Sequence, residues 1–202
     1  MKSLIFNSIR SVYILFVTLT ALPISFLFII GGILSKYFDA YSDVSILASK
    51  IPFLFGQIVR YYYYKATLKH LGKRVIFKYG SFCQYHSASI GDRVIIGYYN
   101  AIGEVHMGND IVVGGFVNLI SGTKQHSFAD PTKTIYAQIS SGRSLITIGS
   151  DVWIGSNSVI MANIGTRCVI GAGSVLVRAA DDNSVYAGNP AKLIKQIPPA
   201  VK

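Results

Sequence analysis

Four histidines, His70, His86, His106 and His126, are the side chains of this 202-residue sequence best suited to moving a proton near neutral pH, because an unperturbed imidazole titrates there. His126 stands in SGTKQHSFADPTKTIYAQISSGRSL, a polar stretch containing Pro131. His86, His106 and His126 follow one another at intervals of twenty, a spacing that invites a three-histidine metal site. Two cysteines, Cys83 and Cys168, are possible nucleophiles or core fillers, and nothing in the sequence pairs them.

The elements that must carry these groups are read from the apolar period. Ile148, Ile154 and Ile160, then Ile164, Ile170 and Leu176, return every six residues, which is neither the helical period nor a strand alternation. Gly149, Gly155, Gly165 and Gly171 follow the apolar residue directly. This pattern predicts a parallel β-solenoid in which each repeat gives one short strand and a tight turn, with glycine freeing the backbone to turn and roughly eighteen residues per three-faced coil. The short step from Ile160 to Ile164 reads as a tightened corner. Hexads begin earlier, at Ile90, Ile96 and Ile102, slip by one to Met107, and continue at Val113 and Leu119. The solenoid is therefore expected to start between Val75 and Ile90, with Phe82 to Ser89 as a broken first coil or cap. Between Leu119 and Ile148 the hexads stop, so the polar stretch should leave the solenoid as an extruded loop over 122–145, where function tends to sit. A coil near eighteen residues does not stack positions twenty apart, which argues against the histidine metal site.

VWIGSN at 152–157, IGAGSV at 170–175 and AGNPAKLIK at 187–195 resemble the hexapeptide-repeat acyltransferases, most closely the galactoside, maltose and polysaccharide O-acetyltransferase subgroup. The resemblance covers about residues 90–197. It implies a left-handed parallel β-helix, against the usual right-handed crossover, assembled as a homotrimer with active sites between subunits. It implies acetyl-CoA as donor, no metal, and transfer to a sugar hydroxyl. That chemistry needs a base for the hydroxyl proton, donors for the developing oxyanion and a dry cleft. His126 matches the family's general base. Trp153, Ser156 and Ala172 match positions beside the CoA arm, and Arg178, Lys192 and Lys195 match cations near its phosphates. Val177 stands where the family often has Thr, so one hydrogen bond is missing there. Asn100 and Glu104 lie on the rung before the loop, where the family places acceptor contacts. The paired histidines of the β-helical zinc enzymes are missing, and direct transfer in a ternary complex is expected in preference to an acetyl-cysteine.

Charge and hydropathy set the first 74 residues apart from a β-helix domain over 75–202. The chain has 19 Lys and Arg against 9 acids, a net +10, and residues 1–80 hold ten of the bases with only Asp39 and Asp43 against them. Ser11 to Ser35 is free of Lys, Arg, Asp and Glu, which is long enough for a bilayer core and longer than the apolar part of a signal peptide. VSILASKIPFLFGQIV follows with amphipathic spacing broken at Pro52 and is expected along the membrane interface. Then Arg60, Lys65, Lys69, Lys73, Arg74 and Lys78 mingle with Tyr61 to Tyr64, which suits a cytoplasmic membrane face better than a nucleic acid. Because acetyl-CoA is cytosolic, the solenoid is expected to face the cytoplasm from a bacterial inner membrane. Pro23 and Gly31–Gly32 would let the apolar run fold back as a re-entrant hairpin or insert shallowly. The acceptor is then a glycan or lipid-linked precursor of capsule or O-antigen. Two rival readings are an N-acetyltransferase on an amino-sugar nucleotide, which needs no apolar run, and a non-catalytic membrane-bound scaffold, which needs only the hexads.

Overall fold

The computed structural model describes residues 2–121, 127, 129–138 and 142–198, with side chains from Asn7 onward. Three helices, α1 (Lys2–Ser35), α2 (Tyr41–Ser49) and α3 (Phe53–Thr67), precede a parallel β-solenoid. The first coil is β1 (His70–Leu71), β2 (Ile76–Phe77) and β3 (Phe82–Cys83). The second is β4 (Ser89–Ile90), β5 (Val94–Ile96) and β6 (Ala101–Ile102), and the third is β7 (Val105–Met107), β8 (Ile111–Val113) and β9 (Asn118–Leu119). The fourth is β10 (Ile146–Ile148), β11 (Val152–Ile154) and β12 (Val159–Ile160). A single bridge at Ile164 with β13 (Cys168–Ile170) and β14 (Val175–Leu176) makes the fifth coil. Ala180 and β15 (Ser184–Ala187) begin the sixth, and β16 (Lys192–Gln196) folds back antiparallel on β15.

Strands of equal rank stack into three sheets that form the faces of a prism. The inward rows are Leu71, Ile90, Met107, Ile148, Ile164 and Ala180 on the first face, Phe77, Ile96, Val113, Ile154 and Ile170 on the second, and Cys83, Ile102, Leu119, Ile160 and Leu176 on the third. All of these are buried, so each hexad contributes one apolar side chain to a continuous axis that no single rung could close. Along the first face the register advances 19, 17, 41, 16 and 16 residues. The two uppermost steps are shorter than eighteen because one corner in each is four residues, Ile160 to Ile164, as the spacing suggested, and then Leu176 to Ala180. The 41-residue step is where a loop leaves the prism. The first coil is complete and starts at His70, ahead of the Val75 expected, and Phe82–Cys83 is a regular strand of it.

The hexad glycines act differently from the sequence reading. The left-handed backbone falls two residues later, on Asp151, Asn157 and Arg167 with φ of 58°, 59° and 58°. Glycine is needed where the next coil comes too close for a side chain: a Cβ on Gly149, Gly155 or Gly165 would sit 2.6, 2.4 and 2.4 Å from Thr166 N, Ala172 N and Asp182 Oδ1. Non-glycine residues in the left-handed region cost roughly 1–2 kcal/mol each. Hydrogen bonds between stacked corners offset this, with Arg167 N donating to Ser150 O at 2.8 Å and Asn157 N to Gly115 O at 2.9 Å.

The helices cap the open end. From one stretch of α3, Lys65 Nζ donates to Leu71 O, Arg60 Nε donates to Phe77 O at 3.1 Å, and the Tyr64 hydroxyl accepts from Cys83 N at 3.0 Å. One helix thus touches all three faces of the first coil and lies across the prism's end. Tyr63 and Tyr64 are fully buried there, so two of the four tyrosines expected at a membrane surface instead plug the core. Arg60 is buried too, and its Nη1 donates to Ala48 O, Ser49 O and Ile51 O, the carbonyls at the C-terminal end of α2, where a cation is favoured. Burial lowers the Arg60 guanidinium to about 10 and raises the Tyr63 phenol to about 12. The interruption expected at Pro52 is the break between α2 and α3. α1 is one continuous helix through Pro23 and Gly31–Gly32, so the apolar run does not fold back as a hairpin.

Candidate functional site

The extruded loop is rooted at one corner between the third and first faces. Ser121 O accepts from Ser144 N at 2.9 Å, closing the stem, while Ser121 Oγ accepts from Glu104 N at 2.8 Å. Glu104 Oε2 also meets Arg143 Nε at 3.4 Å, and the Arg143 guanidinium lies 4.2 Å from the centre of the Tyr85 ring. Both ends of the segment containing His126 are therefore held to Glu104. His126 itself lies outside the described residues.

Beside this stem is a polar cleft of about 350 Å³. The solenoid contributes Gln84, Tyr85, His86, Ser87 and Glu104, the loop contributes Arg143, and the end of α1 and start of α2 contribute Ser35, Lys36, Asp39, Tyr41 and Ser42. His86 packs its ring edge against Tyr41, centroids 5.7 Å apart. Desolvation first, then the charges of Lys36 and Arg143, lower the His86 pKa, with Glu104 pulling the other way, so its imidazole is neutral at neutral pH and free to accept a hydrogen bond. Carboxylates, cations, an amide, hydroxyls and an aromatic ring in one cleft are the groups that bind a polyhydroxylated ligand, and among the described residues no cluster of His, Cys, Asp and Glu could hold a metal ion.

Of the two acceptor residues expected from sequence, Glu104 lines this cleft and Asn100 does not. Asn100 is fully buried, its Oδ1 accepting from Val117 N at 2.7 Å and its Nδ2 donating to Gly114 O at 2.8 Å. It braces a corner of the solenoid, since a buried amide must spend its donors and acceptor locally. Sequence reading missed His86, Arg143 and Lys36, which become neighbours only when the helices dock on the first coil.

Residues expected to hold the donor lie on the upper coils. Trp153 points out from the second face, 57% exposed, in a row with Ile95, Val112, Val169 and Val185. Ser156 and Ala172 stack at one corner of successive coils, and Ser156 Oγ also accepts from Gly115 N at 3.1 Å. Val177 and Arg178 leave β14 exposed, and Lys192 and Lys195 are exposed on β16. The turn aiming β16 contains Gly188 and the cis Asn189–Pro190 bond, and is pinned to β14 by Ala191 N donating to Val175 O at 2.9 Å. His106 stacks between Ser89 and Thr147, not on His86, so the twenty-residue spacing builds no ladder of histidines. Cys83 and Cys168 are buried and neither lines the cleft, and burial pushes the Cys83 thiol well up.

The family model "Bacterial transferase hexapeptide (six repeats)" matches residues 146–178, the fourth and fifth coils. Those two coils thus carry the repeat of the hexapeptide transferases. A probable macrolide acetyltransferase of Lysinibacillus sphaericus is 34% identical over 122 residues, 56% of this chain and 65% of that protein, so the chain spans just under two thirds of that relative's length. A maltose O-acetyltransferase from Clostridium difficile 630 superposes with a TM-score of 0.70 at 21% identity, covering 82% of this chain and 89% of the other. A hexapeptide-repeat acetyltransferase from Vibrio cholerae O1 biovar eltor, crystallised with acetyl coenzyme A, superposes at 0.60 with 20% identity, covering 81% and 89%. At these identities the superpositions establish the shared solenoid.

Proposed function

We propose that this protein is an acetyl-CoA-dependent O-acetyltransferase acting on a sugar hydroxyl at a membrane surface, with a surface-glycan precursor as acceptor. The observation that carries the reading is the root of the loop: the segment with His126 leaves and returns beside a polar cleft, and Glu104 ties its two ends to that cleft. The named activity of the relatives supports acetyl transfer, and the maltose enzyme supports a sugar acceptor. The acetyl-CoA complex of the Vibrio protein supports the donor.

In this reading His126 takes the proton from the acceptor hydroxyl as its oxygen attacks the thioester carbonyl. The tetrahedral intermediate then collapses, the carbon–sulfur bond breaks, and the CoA thiolate leaves with the proton. Ser156 and Ala172 flank the pantetheine arm, Trp153 packs against the ligand, and Arg178, Lys192 and Lys195 meet the phosphates as point charges. The acceptor occupies the cleft, with His86, Glu104 and Arg143 on its hydroxyls. The exposed apolar row Ile95, Val112 and Trp153 on the second face supports a homotrimer, which would cover it. The helix Asn7–Ser35, long and apolar enough to cross a membrane, and the basic stretch after it support membrane association on the cytoplasmic side. The test is release of CoA thiol from acetyl-CoA with maltose as trial acceptor. Acetylated sugar should form with the native protein, and His86→Gln should raise the acceptor KM while leaving CoA binding intact. CoA binding without transfer to any saccharide, free or lipid-linked, would refute it.

A further inference from the structure

The arrangement of α1 says how the membrane contact is made, an inference that rests on the membrane reading above. α1 and α3 run side by side in the same direction. Thr18 lies by Leu54 and Ile58 across a shared groove, Phe28 meets Tyr63 edge-on with centroids 6.2 Å apart, and Lys36 Nζ donates to Thr67 O at 2.8 Å. A stripe of small residues, Ala21, Ser25, Gly32 and Ser35, is buried in the contact, and a Cβ on Gly32 would come within 2.5 Å of the Tyr63 ring. α3 lies across the end of the prism, so α1, docked beneath α2 and α3, runs parallel to that end rather than away from it.

Length decides what this permits. From Val17 to Ser35, about 28 Å of helix, one face of α1 is covered in this way. Ahead of Val17 the described helix runs from Lys2 to Phe16, fifteen residues or about 22 Å, which falls short of a bilayer core of about 30 Å and carries the charges of Lys2 and Arg10. A perpendicular crossing by α1 would have to drag α3, with Arg60 and Lys65, and the first coil into hydrocarbon, where charged groups are costly. The face opposite α3 needs no such sacrifice. Leu19, Phe26, Leu27, Ile33 and Leu34 are 44–64% exposed at helical spacing, and Phe38 continues the stripe at 78%. No acid occurs between Asp43 and Asp92, while the helical end of the chain carries Lys50, Lys65, Lys69, Lys73, Arg74 and Lys78 over the same stretch, a charge balance that complements an anionic lipid surface.

We propose that α1 lies in the plane of an anionic membrane leaflet as the floor of the protein, with the solenoid standing on it, and does not cross the bilayer. The cleft that ends on Ser35, Lys36 and Asp39 then opens at headgroup height, where the sugar of a lipid-linked acceptor would be presented. The test uses the full chain with Phe16→Cys, Phe26→Cys or Leu34→Cys, each labelled with the fluorophore NBD. Cys83 and Cys168 are buried and stay unlabelled. The protein is bound to phosphatidylcholine–phosphatidylglycerol vesicles and quenched with lipids brominated at graded depths. All three labels should report one shallow depth, external dithionite should bleach all three, and added salt should weaken binding. A deep label at Phe26 between two shallow ends, or an end label shielded from dithionite, would overturn the in-plane arrangement and leave membrane association standing. Failure of every variant and of the native chain to bind vesicles would overturn both.

Discussion

Two glycines at the same corner of successive coils separate the two reasons a solenoid needs glycine. Gly155 has ordinary backbone angles and no room: an added Cβ would lie 2.4 Å from Ala172 N, 2.7 Å from Ala172 Cα and 2.9 Å from Gly171 C, all backbone atoms of the coil above. Gly173 has room and unusual angles, with φ of 70° and nothing within 4 Å of an added Cβ. In Gly173→Ala the left-handed region costs roughly 1–2 kcal/mol, offset by about 0.4–1 kcal/mol from the stiffer unfolded chain. The net should be about 0.5–1 kcal/mol, and Gly173→Asn should cost still less, since Asn157 holds the same corner one coil below at φ 59°. In Gly155→Ala the coil above must move by several tenths of an ångström, stretching the 2.7 Å bond from Gly155 N to Ile170 O. Overpacking of this kind costs about 1–3 kcal/mol or more, and here the obstacle is backbone rather than a side chain that could turn aside, so the upper end is expected. Urea unfolding followed by circular dichroism measures both. The reasoning fails if Gly173→Ala proves the more damaging, because the glycines would then serve conformation rather than coil spacing.

Three further outcomes follow from the same geometry. Arg60→Met should cost about 2–4 kcal/mol in thermal or urea unfolding, because four carbonyls lose a charged donor and the refund from desolvation of the guanidinium is only partial. Asn100→Leu should destabilise the solenoid by about 2–4 kcal/mol, with Val117 N and Gly114 O left unsatisfied, while the acceptor KM of the surviving folded protein stays unchanged; a raised KM would return Asn100 to the acceptor site. His86 has a folded pKa below its ordinary 6.5, so the unfolded chain binds the extra proton first and stability falls as the pH drops below 6.5. That small acid-side loss should vanish in His86→Gln when unfolding is compared from about pH 8 to about pH 5.

The prism was legible because its driving force is periodic. One apolar residue per six names the axis, and the four-residue step at Ile160–Ile164 names a corner, without any knowledge of tertiary contacts. The loop was legible as a gap in the same period. The role of the glycines was not, because a requirement for space and a requirement for positive φ leave the same letter in the sequence. The first coil was hidden for a related reason: Leu71, Phe77 and Cys83 keep the six-residue spacing, but few hexad glycines accompany them, and the helices rather than another coil cover them. Tyr63, Tyr64 and Arg60 looked like residues for a membrane surface by composition, and only the docking of α3 across the prism shows that they close its end. The cleft was illegible for the same reason, since Lys36, His86 and Arg143 are far apart in the chain and meet through that docking. Glu104 faces the cleft and Asn100 faces inward, a difference the sequence hid because a register near a one-residue slip fixes the coil of a residue but not whether it points inward.

The central claim is that one imidazole on the extruded loop draws the proton during acetyl transfer from CoA. It is tested most directly by steady-state transfer of acetyl from acetyl-CoA to a saccharide acceptor, comparing the native protein with His126→Ala and confirming the fold of each by circular dichroism. Loss of a general base predicts a fall in kcat of about 10²–10⁴-fold with acetyl-CoA binding retained. An unchanged kcat in the folded variant would contradict the account.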